Sequence, residues 1–247
     1  MLEVKSVTHI NRYFATRLSL VDVFRVIHYF NYLGDPRNIP FFYLKKTGVS
    51  CVTDLSMPMD DIMHSMKSNT RNEIRRAIKE GCIFEVSEDI KEFVLFYNSF
   101  CHDKKLNDFA TIGRIKKFKD FLITKVLCQD TLLAMHVNIL DPLEKRAFLM
   151  FSCSQRLVEG VDRKLIGWGN RYLHFKDLEY LKGLGYLMYD WSGICLNPND
   201  CRYSIGQFKL SFGGIVTTPL MLRTPLYACL ECVRNLVMKV RGRFSHT

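Results

Sequence analysis

The sequence has no apolar run long enough to cross a bilayer, and its first residues lack the basic, apolar, small-residue order of a signal peptide. A cytoplasmic chain, membrane-peripheral at most, is the expectation on its cysteine usage. Internal repeats and low-complexity tracts are also missing. Cysteine is present but unpatterned: the nine residues are scattered and odd in number, which fits free thiols in a reducing compartment better than a disulfide framework. Only Cys229-Leu-Glu-Cys232 has metal-like spacing, and neither a second pair nor a nearby His completes the four ligands of a tetrahedral site. No metal is expected. Acidic residues are outnumbered 25 to 35 by Lys and Arg, for a net charge of +10. That bias attracts phosphate, whether on RNA, nucleotides, coenzyme A, pyrophosphate-linked lipids or a membrane face, and argues against a basic substrate.

At 247 residues and 48% hydrophobic content, the chain can build one sizeable domain or two small ones. Leu2 to Lys46 carries no single period. Within it, Leu18–Phe30 has helical spacing of apolar residues behind a possible Ser19 N-cap, and Phe41–Leu44 reads as a strand. Val49–Leu55 reads as a second strand. Met59–Gly81 predicts a helix, broken into two pieces, with Asp60 and Asp61 at its start and Gly81 as C-cap. Lys67, Arg71, Arg75, Arg76 and Lys79 recur along it as a basic stripe, which is either a solvated face or a contact for a phosphate-bearing substrate. A strand over Cys82–Val86 follows, then amphipathic helices over Asp89–His102 and Ile112–Leu127. Paired strands come next over Thr131–Leu140 and Arg146–Cys153.

Lys164-Leu-Ile-Gly167-Trp-Gly169 precedes a predicted helix over Asn170–Leu184. Glycines ahead of a helix expose backbone N–H groups to an anion, although they can equally be a structural turn. His174 lies within that helix and reads as structural. Leu187–Trp191 reads as a buried strand that delivers Asp190 to the rim of a sheet, with Tyr189 as core or pocket wall. Turn chemistry over Leu196–Asp200 leads into Gly206, Phe208-Lys209 and Phe212-Gly213-Gly214, a cation among aromatics and glycines. Pro225–Thr247 carries a helical apolar face of Leu226, Leu230, Val233, Leu236, Val237 and Val240, with Arg and Lys at its distal end. Such a helix either docks on the domain or lies on a membrane surface.

Taken in order, Arg71–Gly81, Asn170–Phe175, Gly185–Asp190, Gly193, Gly206, Phe208-Lys209 and Phe212–Gly214 resemble the FemAB-type aminoacyltransferases of the GNAT N-acyltransferase superfamily. The resemblance spans roughly Asn69 to Gly214. It implies an α+β, GNAT-like acyl-CoA N-acyltransferase fold, with a central mixed sheet flanked by helices. It also implies a partial N-terminal unit over 1–85, a catalytic unit over 86–220 and a basic amphipathic helix over 221–247. Lys164, Gly167, Gly169 and Asn170 are similar to the loop that grips the coenzyme A pyrophosphate in GNAT enzymes, with Lys where Gln or Arg is usual. Phe208-Lys209 is similar to the Phe-Lys pair that faces the tRNA end and the reacting ester.

The implied reaction is transfer of an acyl or aminoacyl group to an amine on a glycan or lipid-linked cell-envelope precursor. The peptidoglycan muropeptide is not the expected acceptor, because the segment before about Val86 is short for a complete first unit. Lys209 would stabilise the oxyanion and Asp190 would be the base or orient the amine. Phe208, Tyr189, Arg71 and Arg75 join the glycine segment as donor- or substrate-binding residues. A coenzyme A thioester or acyl-carrier pantetheine is the first expectation for the donor, with aminoacyl-tRNA as the alternative. A non-catalytic nucleic-acid-binding or scaffold protein is the reading from a different class.

Overall fold

The computed structural model describes residues 1–155 and 162–244, with side chains as far as Val237. In chain order the elements are β1 (Leu2–Lys5), β2 (Ile10–Tyr13), β3 (Ile27–Tyr32), β4 (Leu44–Thr47), β5 (Ser50–Asp54), α1 (Met59–Ser65) and α2 (Ser68–Lys79). After them come β6 (Ile83–Ser87), α3 (Ile90–Asp103), α4 (Ile112–Lys116), β7 (Phe121–Cys128), β8 (Thr131–Asp141) and β9 (Arg146–Ser154). The chain ends in α5 (Arg163–Gly183), β10 (Met188–Gly193), α6 (Tyr203–Leu210), β11 (Ile215–Thr217), β12 (Leu220–Arg223) and α7 (Pro225–Phe244).

The chain divides into two units. One joins Met1–Gly48 to Thr218–Thr247, and the other is Val49–Thr217. The first holds a five-stranded sheet in the order β1-β2-β3-β12-β4, around a small core that includes Ile27, Tyr29, Tyr43 and Leu222. Its α7 exposes Leu226, Val233, Leu236 and Val237. The basic side chains expected at the distal end, Lys239, Arg241 and Arg243, lie outside the described residues. Among those residues no helix is long and apolar enough to cross a membrane.

The second unit is built on a seven-stranded sheet, β11-β5-β10-β9-β8-β7-β6. Its neighbouring strands are antiparallel except β9 and β10, which run parallel, with α5 as the crossover between them. Helix α5 packs along α2, β7 and β8. The central core runs through Ile74, Leu178, Tyr189, Trp191 and Phe212. Gly213 adopts φ +77°, and a Cβ there would stand 2.6 Å from the Ser65 carbonyl oxygen. Only glycine satisfies both demands. Gly213→Ala should therefore lower stability by about 1–3 kcal/mol, a value typical of strained backbone, in a urea unfolding titration.

Period-two burial explains most strands, and it corrects three helical expectations. Leu18–Phe30 is a short 3-10 turn at Leu20–Phe24 followed by β3, where Ile27 and Tyr29 face inward. Ile112–Leu127 is the short α4, capped by Thr111, and then β7. The continuous buried run Leu122-Ile123-Thr124, followed by the alternating Val126 and Cys128, wins there over the lysine-rich helical spacing. The strand expected at Phe41–Leu44 begins only at Leu44. By contrast, the broken helix is present as α1 and α2, and Gly81 takes φ +77° just beyond the second piece.

Candidate active site

The parallel pairing of β9 with β10 runs from Arg146↔Met188 to Phe148↔Asp190 and then stops. On its other side β10 pairs antiparallel with β5 from Met188↔Asp54 onward, and that register shifts between Asp190 and Gly193, which pairs with Ser50. Side chains satisfy the backbone groups that this parting releases. Ser192, at φ +64°, donates its hydroxyl to the Leu149 carbonyl of β9 at 2.6 Å. The Gly193 carbonyl accepts from Lys209 Nζ at 3.1 Å. Asp190 accepts from the Ser50 hydroxyl at 2.6 Å and from the Ser192 N–H at 2.8 Å. Past the end of the ladder the Ser192 hydroxyl alone of these bonds reaches β9, while those from Ser50 and Lys209 tie β10 to β5 and α6.

Beside the half of β9 that β10 leaves unpaired lies a cleft of about 400 Å³, lined by β9, α5, α6 and the end of α3. One wall is the free half of β9, with Leu149, Ser152 and Ser154. The other is α6, with Phe208 and Lys209, while Asn170 and His174 of α5 also line it. Lys209 occupies the last turn of α6 and is half-buried. Burial pulls its ammonium below the ordinary lysine range, and the nearby Asp190 carboxylate opposes that shift. Asp190 itself is 5% exposed, and burial pushes its carboxyl up against the hydrogen bonds from Ser50 and Ser192.

The structure brings three of the expected site residues, Phe208, Lys209 and Asn170, into this cleft. Asp190 and Tyr189 lie behind it on β10. Tyr189 is fully buried, donates to Asn138 Oδ1 at 2.9 Å and meets Trp191 edge-on. Arg71 turns back to cap the end of α1, donating to the His64 carbonyl at 3.0 Å and to that of Met66. Arg75 is exposed beside Asn72, and Arg76 lies over the Trp168 ring.

The glycine segment is corrected. Lys164, Gly167 and Gly169 lie inside α5, which starts at Arg163 behind an Asp162 cap that accepts from the Lys164 N–H at 2.8 Å. The backbone there is helical, not an open loop. Gly169 faces β8, and a Cβ on it would stand 2.7 Å from Leu133 Cδ1, so its smallness lets α5 approach the sheet.

One group was missed by sequence reasoning. His136, His174 and Asp177 form a buried cluster. His136 Nδ1 lies 2.6 Å from Asp177 Oδ2, its Nε2 lies 3.3 Å from Asn170 Oδ1, and its ring lies 4.0 Å from that of His174. The only sequence signal for it is polarity at inward positions of β8 and α5.

No protein-family model matches the chain, and no curated protein does. Solved structures do. FemX aligns at TM-score 0.70 and 11% identity, over 94% of this chain and 85% of that one. The C-terminal domain of a putative lysylphosphatidylglycerol synthetase from Agrobacterium fabrum aligns at 0.62 and 10%, over 96% and 84%. L-PGS from Bacillus licheniformis aligns at 0.56 and 13%, over 89% and 74%. The α+β fold is thus shared with FemX and with the lysylphosphatidylglycerol synthetase domains, as the FemAB-type motifs implied.

Proposed function

We propose that the protein is an aminoacyltransferase, forming an amide between an aminoacyl ester carried on tRNA and an amino group of a glycan or lipid-linked cell-envelope precursor. The observation that carries this reading is the cleft between α6 and the half of β9 that β10 leaves unpaired, with the Lys209 ammonium at its edge on the Gly193 carbonyl. Acyl transfer needs a carbonyl held in a slot with little water, and a cation placed where the oxyanion develops. The position of Lys209 at the cleft edge supports that role for it. Asp190 stays behind it as the countercharge that helps to position the ammonium.

Two observations favour an aminoacyl ester over a thioester. The fold is shared with FemX and with a putative lysylphosphatidylglycerol synthetase domain, and Lys164, Gly167 and Gly169, expected to grip a coenzyme A pyrophosphate, lie inside α5. A net charge of +10 suits a polyanionic carrier. The test incubates the protein with mixed aminoacyl-tRNAs and an envelope-precursor extract, with acetyl-CoA in parallel, and reads products by mass spectrometry. The expected result is an aminoacyl mass added to an amino-bearing precursor, in a reaction that weakens steeply with salt. Transfer from acetyl-CoA alone, or no transfer from tRNA, would overturn the reading.

A further inference from the structure

The positive charge is not spread evenly along the chain. Met1–Gly48 and Thr218–Thr247, which form one unit, hold 12 Lys and Arg against 4 Asp and Glu, whereas Val49–Thr217 holds 23 against 21. The unit that does not contain the cleft thus carries most of the cationic surplus. Each of its four acids is ion-paired with an arginine: Glu3 and Asp22 with Arg12, Asp35 with Arg37, and Glu231 with Arg223. Arg17, Arg25, Lys45, Lys46 and Arg234 are exposed.

In the same unit the 3-10 turn Leu20–Phe24 is inside out. Its one polar residue, Asp22, is 2% exposed and accepts from Arg12 Nη1 at 2.5 Å and from the Tyr29 hydroxyl at 2.6 Å. Leu20, Val21 and Phe24 are instead 68%, 61% and 80% exposed. Left to itself, a turn of this composition would bury the apolar side chains and hydrate the aspartate, and here a buried ion pair holds the opposite arrangement. Phe41, 96% exposed, stands on an adjoining turn, where the Tyr43 hydroxyl donates to the Ser19 carbonyl at 3.2 Å. On the other flank the Thr224 hydroxyl donates to the Arg25 carbonyl at 2.7 Å, just ahead of α7 and its exposed Leu226.

Apolar side chains standing among cations match a bilayer with anionic headgroups: hydrocarbon takes the apolar tips, and lipid phosphate takes the basic rim. RNA would use the charge but gain little from leucine and valine, because bases stack on rings. A second copy of the chain would set one positive surface against another. We propose that this unit docks on an anionic membrane surface through Leu20, Val21, Phe24 and Phe41, with Arg17, Arg25, Lys45 and Lys46 against the headgroups. The docking is independent of what the cleft transfers.

The test sediments the full chain with vesicles of phosphatidylcholine, with and without phosphatidylglycerol. Wild type should pellet with the anionic vesicles, and added salt should weaken this. Leu20→Ser/Val21→Ser/Phe24→Ser should lower the partition coefficient on the order of 10²-fold, the loss expected for three partly inserted apolar side chains. Lys45→Gln/Lys46→Gln should lower it about 10-fold. Leu95→Ser, at an exposed position of α3 in the other unit, should leave it unchanged. All these substitutions are at exposed side chains, so thermal melts followed by circular dichroism should match wild type. Failure of wild type to pellet with anionic vesicles, or undiminished pelleting of the triple variant, would overturn the proposal. So would equal pelleting with both kinds of vesicle, or binding of single-stranded RNA in place of vesicles.

Discussion

Lys209→Met should lower aminoacyl transfer about 10²–10³-fold, the usual effect of removing one donor from an oxyanion site, while the protein melts where wild type does. Methionine keeps the length and apolar stem that pack at the end of α6 but removes the charge. The site is sheltered, so a fixed ammonium acts there with less screening than it would in bulk water. Lys209→Arg should recover only part of the rate, because a planar fork does not occupy the position of a compact ammonium on the Gly193 carbonyl. Single-turnover kinetics with a fixed aminoacyl-tRNA would separate this from weakened donor binding. A Lys209→Met enzyme within about twofold of wild type would remove Lys209 from the chemistry.

The second large effect is on stability. Trp191→Ala should destabilise the protein by about 3–5 kcal/mol, as truncation of a buried Trp does, a large share of the roughly 5–15 kcal/mol that holds a domain folded. Trp191 is fully buried, stacks on Phe212 at 4.7 Å and donates its indole N–H to Thr53 Oγ1 at 2.9 Å. Truncation leaves a cavity behind the cleft, removes one of the rings packed against His174 and orphans the Thr53 hydroxyl. Trp191→Phe should cost less, since a ring still faces Phe212. Urea titrations of the three proteins would measure the series. A loss under about 1 kcal/mol for the alanine variant would contradict this packing.

What the sequence disclosed follows from how local each signal is. The strands β8, β9 and β10 could be read because alternating or continuous apolar runs bounded by turns mark them directly. Helix α5 was begun too late because Gly167 and Gly169 read as loop residues, whereas the close approach to Leu133 that requires Gly169 to be small is a tertiary fact. Phe208 and Lys209 were found through a motif of adjacent residues. His174 reads as structural in the sequence, and its pairing with His136 was not legible, because the two meet only when α5 packs across β8. Asp190 was legible as a carboxylate at a strand end. Its bonds to Ser50, from a strand far earlier in the chain, were not.

The most direct measurement is a crystal structure with a hydrolysis-resistant donor mimic, 3′-deoxy-3′-aminoacylaminoadenosine. The carbonyl carbon should lie in the cleft between Leu149–Ser154 of β9 and α6, with its oxygen within hydrogen-bond reach of Lys209 Nζ. Binding confined to the exposed basic face of α2, with the cleft empty and Lys209 still on the Gly193 carbonyl, would contradict the assignment of that cleft as the place where the acyl group is transferred.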